Sequence, residues 1–120
     1  MSDITPGMMI VAVDFDREHD EELNSWYDEE HVPERAAIDG VTGVRRFVRT
    51  EGGFATPPGM DIVTLPKYLQ VYDLSDINIP AGKEWSALSE PAAVSERSLR
   101  NFPFVRNVSR GMYVEMRRFK

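Results

Sequence analysis

The run "MMIVAVDF", Met8 to Phe15, is short, rich in apolar and β-branched residues and preceded by Pro6 and Gly7, which marks it as a strand. It is apolar on both faces. Such a strand belongs inside a sheet covered on both sides, and that requirement constrains the fold more than any other feature of the chain. The other segments decide what the sheet is and what covers it.

Asp20 is placed to cap a helix whose first turn carries Glu21 and Glu22, favourable against the helix dipole. The helical pattern continues to about Ala37 before Gly40 stops it, and Pro33 predicts a kink, or a second segment, just after His31. "VTGVRRFVRT" alternates Val44, Arg46 and Val48 against Arg45, Phe47 and Arg49, which predicts a second strand. The Gly- and Pro-rich "EGGFATPPGMDIVTLP" reads as a long loop, of a length often functional or mobile. "KYLQVYDL", from Lys67, predicts a third strand with Tyr68, Gln70 and Tyr72 on one face and Leu69, Val71 and Asp73 on the other. Pro80 to Arg100 favours helix, but Pro91 divides it into two short segments, one through Trp85 and Leu88, one through Val94 and Leu99. "RGMYVEMRRF" alternates Met112, Val114 and Met116 against Tyr113, Glu115 and Arg117, a last strand. No repeat or linker separates these pieces, so residues 1–120 are expected to form a single domain.

The order β, α, β, loop, β, broken α, β is the βαββαβ ferredoxin-like arrangement, an α+β fold with an antiparallel sheet and helices on one side. One sheet face is then bare, although the first strand is apolar on both. A second copy of the same sheet is the expected cover, giving a symmetric homodimer.

Hydrophobic residues at 42% and charged residues at 28% are ordinary for a globular domain. A formal charge of -6 with no basic stripe argues against nucleic acid or anionic membrane as partner. The absence of cysteine removes disulfides, iron-sulfur ligation, thiolate zinc sites and a cysteine nucleophile. Together with an acidic start and an apolar run too short to span a bilayer, it leads us to expect a cytoplasmic protein. The sequon-like "NVS" at Asn107 to Ser109 then carries no glycosylation meaning.

The element order, the run "WYDEEH" followed by Val32 and Pro33, and "GVTGVRRF" leading into the second strand resemble the dimeric α+β barrel superfamily, and within it the EthD-like proteins. At motif level the resemblance rests on Trp26, Glu30, His31, Pro33, Gly43 and Arg46. The usual glycine-proline pair ahead of strand two is replaced by "AIDGVTGV". The resemblance implies a small-molecule pocket between sheet and helices. Its members include cofactor-free monooxygenases, cyclases, lactone isomerases and dehydratases, and some bind haem; fold alone does not choose among them.

On a helix Leu23, Tyr27, Glu30 or His31, and Glu34 fall along one stripe, with Trp26 and Glu30 an adjacent pair. Trp26 and Tyr27 define the packed side, so His31 is expected to face the sheet as general acid or base, oriented by Glu30 or Glu34. Tyr68, Tyr72, Tyr113 or Arg46 would supply donors to a developing enolate or phenolate oxygen. The competing role for His31 is structural, as donor to a carbonyl freed near Pro33. Tyr68, Gln70 and Tyr72 serve equally well as dimer-interface residues, and His19 is expected to be solvated. His31, Glu30 and Glu34 make a poor metal site for want of a second nearby histidine. Axial haem ligation by His31 finds no other support in the chain. The serines at 86, 89, 95 and 98 lack a nucleophile elbow, and "EGGF" lacks the lysine and helix of a phosphate loop. The chain is therefore expected to be a cofactor-free proton-transfer enzyme for a small aromatic or carbonyl-bearing metabolite. A non-catalytic binding module, a cofactor-free monooxygenase and a structural dimer without an occupied pocket are the alternatives.

Overall fold

The computed structural model describes residues 4–120; the acidic start at Asp3 lies outside the described residues. The apolar run forms β1 (Gly7–Phe15), which lies inside a four-stranded sheet between β3 (Tyr68–Leu74) and β4 (Val105–Tyr113), while β2 (Val41–Val48) flanks β3. The order is β2-β3-β1-β4 and every pairing is antiparallel. This is the ferredoxin-like α+β arrangement expected from the order of elements. The β2–β3 connection carries no helix or strand between Val48 and Tyr68, as its glycines and prolines predict.

The long helical segment is built in three parts. A 3-10 turn (Arg17–His19) leads into α1 (Asp20–Trp26), a wide π turn (Tyr27–His31) follows, and α2 (Val32–Ala36) completes it. Pro33 explains the wide turn. It has no N–H for the Glu29 carbonyl and its ring would collide with that carbonyl in a regular helix, whereas the Val32 N–H reaches back to the Tyr27 carbonyl, five residues earlier. The expected kink is thus absorbed by one loose turn centred on the "YDEEH" run. Gly40 ends the segment at φ 95°, where a Cβ would lie 2.2 Å from Ile79 Cδ1.

The two short helices on either side of Pro91 are α3 (Lys83–Ala87) and α4 (Glu96–Asn101), capped by the Ser95 hydroxyl. The last strand differs from expectation. It begins at Val105 and stops at Tyr113, because Tyr113 already faces Met8 near the start of β1 and the alternating residues beyond it find no described strand to pair with.

Directly opposed residues share a sheet face, so Met9, Val11, Val13 and Phe15 stand with Tyr72, Gln70 and Tyr68 on the helix side. Two core clusters form there. Val13, Leu23, Trp26, Tyr27 and Tyr68 make one; Met9, Tyr72 and Leu74, with Ile79 and Trp85 against them, make the other. Met8, Ile10, Leu69, Val71 and Phe47 alternate to the other face. The expectation that Tyr68, Gln70 and Tyr72 serve a dimer interface is therefore corrected: they lie under the helices.

One irregularity in β4 matters for the site. Ala12 pairs with Ser109 but Asp14 with Arg106, so Asn107 and Val108 together oppose Val13 as a β-bulge. Asn107 takes the left-handed conformation at φ 51° and its amide donates to Asp14 Oδ2 at 2.9 Å. The extra residue shifts the alternation, so that both Val105 before it and Arg110 after it face the helix side.

Candidate active site

Between the two core clusters lies a cavity of about 340 Å³. Its floor is Met9, Val11 and Val13 of β1, Tyr72 of β3 and Val108 and Arg110 of β4; Trp26, Tyr27, His31 and Arg35 form the helical wall, and Trp85 and Phe102 close in beside them. Five aromatic rings and an imidazole thus surround a space fit for a small ring-bearing molecule.

The π turn positions the wall. The His31 ring lies 4.6 Å from the Tyr27 ring and 4.7 Å from the Trp26 ring, because in a wide turn residues four and five apart come to the same line. The Trp26 indole N–H donates to Ser98 Oγ at 3.0 Å, and Ser98 in turn donates to Glu30 Oε1 at 3.1 Å. Ser95 also donates to that carboxylate oxygen. Glu30 is thus spent in holding Trp26 and the α4 N-terminus. The expectation that it orients His31 is corrected.

Glu34 meets His31 and Arg35 in a separate crevice of about 10 Å³ and makes no hydrogen bond to either among the described residues. Nor is the structural role foreseen for His31 found: its ring hydrogen-bonds no described residue, and its backbone carbonyl accepts from Arg35 Nη1 at 3.0 Å. No buried nitrogen or oxygen among the described side chains is both sealed and unpartnered, so the imidazole nitrogens and the Tyr27 and Tyr72 hydroxyls remain open to a ligand. No three His, Asp or Glu side chains among the described residues converge as a metal site requires, so His31, Glu30 and Glu34 do not form a ligand set.

Burial, with the guanidiniums of Arg35 and Arg46 nearby, pushes His31 down to about 3, so the ring is neutral at pH 7. Burial likewise raises the Tyr27 phenol to about 12 and lifts Tyr72, keeping both protonated. The site is a neutral imidazole beside two hydroxyl donors.

The remaining expected residues fall elsewhere. Arg46 lies 5.0 Å over the Tyr27 ring, but outside the cavity, and gives its donors to Asp28 at 2.7 Å and Asn24 at 2.8 Å, tying β2 to the helix. Tyr68 donates to Asp20 Oδ1 at 2.6 Å and packs in the core. Tyr113 lies across Gly111 on the opposite sheet face, 53% exposed, and does not line this cavity. His19, expected to be solvated, stacks on Phe104 at 3.5 Å and bonds Asp16 at 3.0 Å. Arg35, Trp85, Phe102 and Arg110 were not foreseen. Arg35 is signalled by its position four residues after His31, whereas Arg110 is legible only once the bulge is known.

Among the described residues no helix is long and apolar enough to cross a membrane. Comparison of the chain with protein-family models, curated proteins and solved structures finds no match.

Proposed function

We propose that this protein is a cofactor-independent acid-base enzyme that binds a small aromatic or carbonyl-bearing metabolite between sheet and helices and moves a proton through His31. The observation that carries this reading is a neutral, partnerless imidazole on the wall of a cavity of about 340 Å³, beside two protonated phenols. The imidazole lone pair takes a proton from carbon next to a carbonyl. Tyr27 or Tyr72 donates to the oxygen on which negative charge develops. Returning the proton at another carbon gives an isomerisation; loss of a leaving group gives an elimination.

The test is α-proton exchange in D2O, followed by NMR, across enolisable cyclic ketones and lactones. Exchange above the buffer rate for at least one compound, lost by about a hundredfold or more in His31→Ala, is the expected result. No exchange with any of them, or exchange untouched by the substitution, refutes the reading. Comparing turnover with and without oxygen separates it from a cofactor-free monooxygenase.

A second reading has one observation in its favour. A free imidazole held near 3 is a weak base, which suits a binding module that only sequesters its ligand. That module predicts equal loss of binding and stability in His31→Ala and no turnover in the intact protein.

The resemblance to EthD-like dimeric α+β barrels is supported by the strand order and by the helix-borne "WYDEEH" run at the cavity. The homodimer is supported by the sheet face on which Met8, Ile10 and Leu69 remain half-buried, with Phe47 44% exposed at its margin. Sedimentation equilibrium is expected to show a dimer that Leu69→Asp converts to monomer. A monomeric parent chain removes the proposal.

A further inference from the structure

We infer that the ligand of this cavity is an organic anion, a small ring-bearing carboxylate whose charged group is held between Arg35 and Arg110. The lining residues include these two arginines and not one aspartate or glutamate, in a chain with 20 acidic and 14 basic residues. The local charge of the cavity thus opposes that of the molecule. Arg35 comes from the helix wall and Arg110 from the sheet floor, so an anion between them is approached from both layers.

Neither guanidinium is neutralised by the protein. Arg46 and Arg97 are tied to carboxylates at 2.7 to 3.0 Å, whereas Arg35 and Arg110 pair with no carboxylate among the described residues. Arg35 gives one Nη1–H to the His31 carbonyl and lies 5.8 Å over the Trp85 ring, which leaves further donors of its fork available. Arg110 owes its direction to the Asn107 bulge; a regular β4 in register with Asp14 would send it to the opposite face. A bulge that turns the exposed Arg110 to the rim of a ring-lined cavity has the character of a binding device. A guanidinium pair matches the planar, bidentate geometry of a carboxylate, while the surrounding rings of Trp26, Tyr27, Tyr72, Trp85 and Phe102 suit a flat ring attached to it.

The inference deepens the acid-base reading and draws its chemical use from it. An imidazolium formed at His31 would sit on a cavity lined by two guanidiniums, Arg35 beside it and Arg110 on the floor, and by no carboxylate, so a bound anion supplies the counter-charge inside the cavity. A bound carboxylate beside Arg35 offsets one of the guanidiniums that, after burial, hold the His31 pKa down, and makes His31 a better base in the complex than in the free protein. Binding of the anion, however, stands independently of any turnover.

The probes are benzoate and benzamide, which have nearly the same shape and differ in charge. Trp26 and Trp85 are the chain's two tryptophans and both line the cavity, so intrinsic fluorescence reports occupancy, with ligand-observed NMR as the independent readout. Benzoate is expected to bind about tenfold more tightly than benzamide. The preference should fall several-fold in Arg35→Gln and in Arg110→Gln and vanish in the double variant, while benzamide affinity, which reports an intact cavity, stays within about twofold. Arg110→Lys should keep part of the preference. Equal binding of the two probes, no binding of either, or a preference that survives the double substitution overturns the inference. Failure of the α-proton exchange assay with benzoate preference intact would remove the enzyme reading and leave the anion site standing.

Discussion

Holding His31 neutral makes stability depend on pH in a calculable way. The ring titrates at about 3 in the folded chain and near 6.5 when exposed, so between those values the unfolded state binds a proton that the folded state refuses. The contribution favours folding fully above pH 6.5 and is lost as pH falls toward 3. At about 1.4 kcal/mol per pH unit, moving from pH 7 to pH 5 removes about 2 kcal/mol of stability through this one residue. His31→Gln, which does not titrate, removes that term but keeps the carboxylates whose pKa values are lowered by their partners, such as Glu22 beside Arg97 and Asn101. Urea denaturation of both proteins at the two pH values isolates the difference. The parent should lose about 2 kcal/mol more than the variant, with unchanged m-values. Parallel losses would refute a His31 held neutral by burial. A smaller loss in the parent would mean that a carboxylate, Glu34 or Glu30, stabilises the imidazolium after all. The His31 Hε1 resonance offers a direct check, since it should keep its neutral shift down to pH 5.

Ser98→Ala strands the Trp26 indole N–H and removes one of the two hydroxyls on Glu30, and is expected to cost about 1–3 kcal/mol in the denaturant midpoint. Ser98→Thr, which keeps the hydroxyl, should recover part of that loss. Asn107→Ala combines left-handed backbone strain with loss of the Asp14 hydrogen bond and should cost about 1–2 kcal/mol, whereas Asn107→Gly keeps the backbone free and should cost less. If the alanine variant is as stable as the parent, the bulge is not held by that residue. Gly40→Ala meets both a φ of 95° and the Ile79 side chain, and a loss of about 2 kcal/mol or more is expected from thermal melts. A neutral effect there would mean that the turn can rebuild.

The βαββαβ order could be read from the chain because each element announces itself locally: alternation in "VRRFVR" and "YLQVYD", the acidic first helical turn at Asp20, Glu21 and Glu22, where Asp20 opens the helix rather than capping it, and the proline at 91 that divides two short helices. The same local rules picked out Tyr27 and His31, since residues four apart on a helix share a side whatever the rest of the fold does, while Trp26, five before His31, is brought into line by the π turn. They misjudged Glu30, Arg46, Tyr68 and Tyr113. Those residues have partners 18 to 68 positions away or packing that depends on which sheet face is covered, and one sequence carries no record of such distances. Tyr113 shows the limit plainly. The strand expected to run on past it ends there, and which sheet face it takes is set by the pairing register with β1. Arg110 shows it from the other side, because a single unpaired residue at Asn107 reverses the phase of everything after it.

The sequence by itself determined the number, type and order of the elements and the helix that carries the imidazole, since these follow from periodicity and backbone chemistry over a few residues. Only the tertiary structure decided that the imidazole stands neutral between two core clusters, with Glu30 engaged by Ser95 and Ser98, Arg35 beside it on the helix and Arg110 on the sheet floor. Charge state and cavity are properties of what is desolvated and what converges, and both depend on groups brought together from distant parts of the chain.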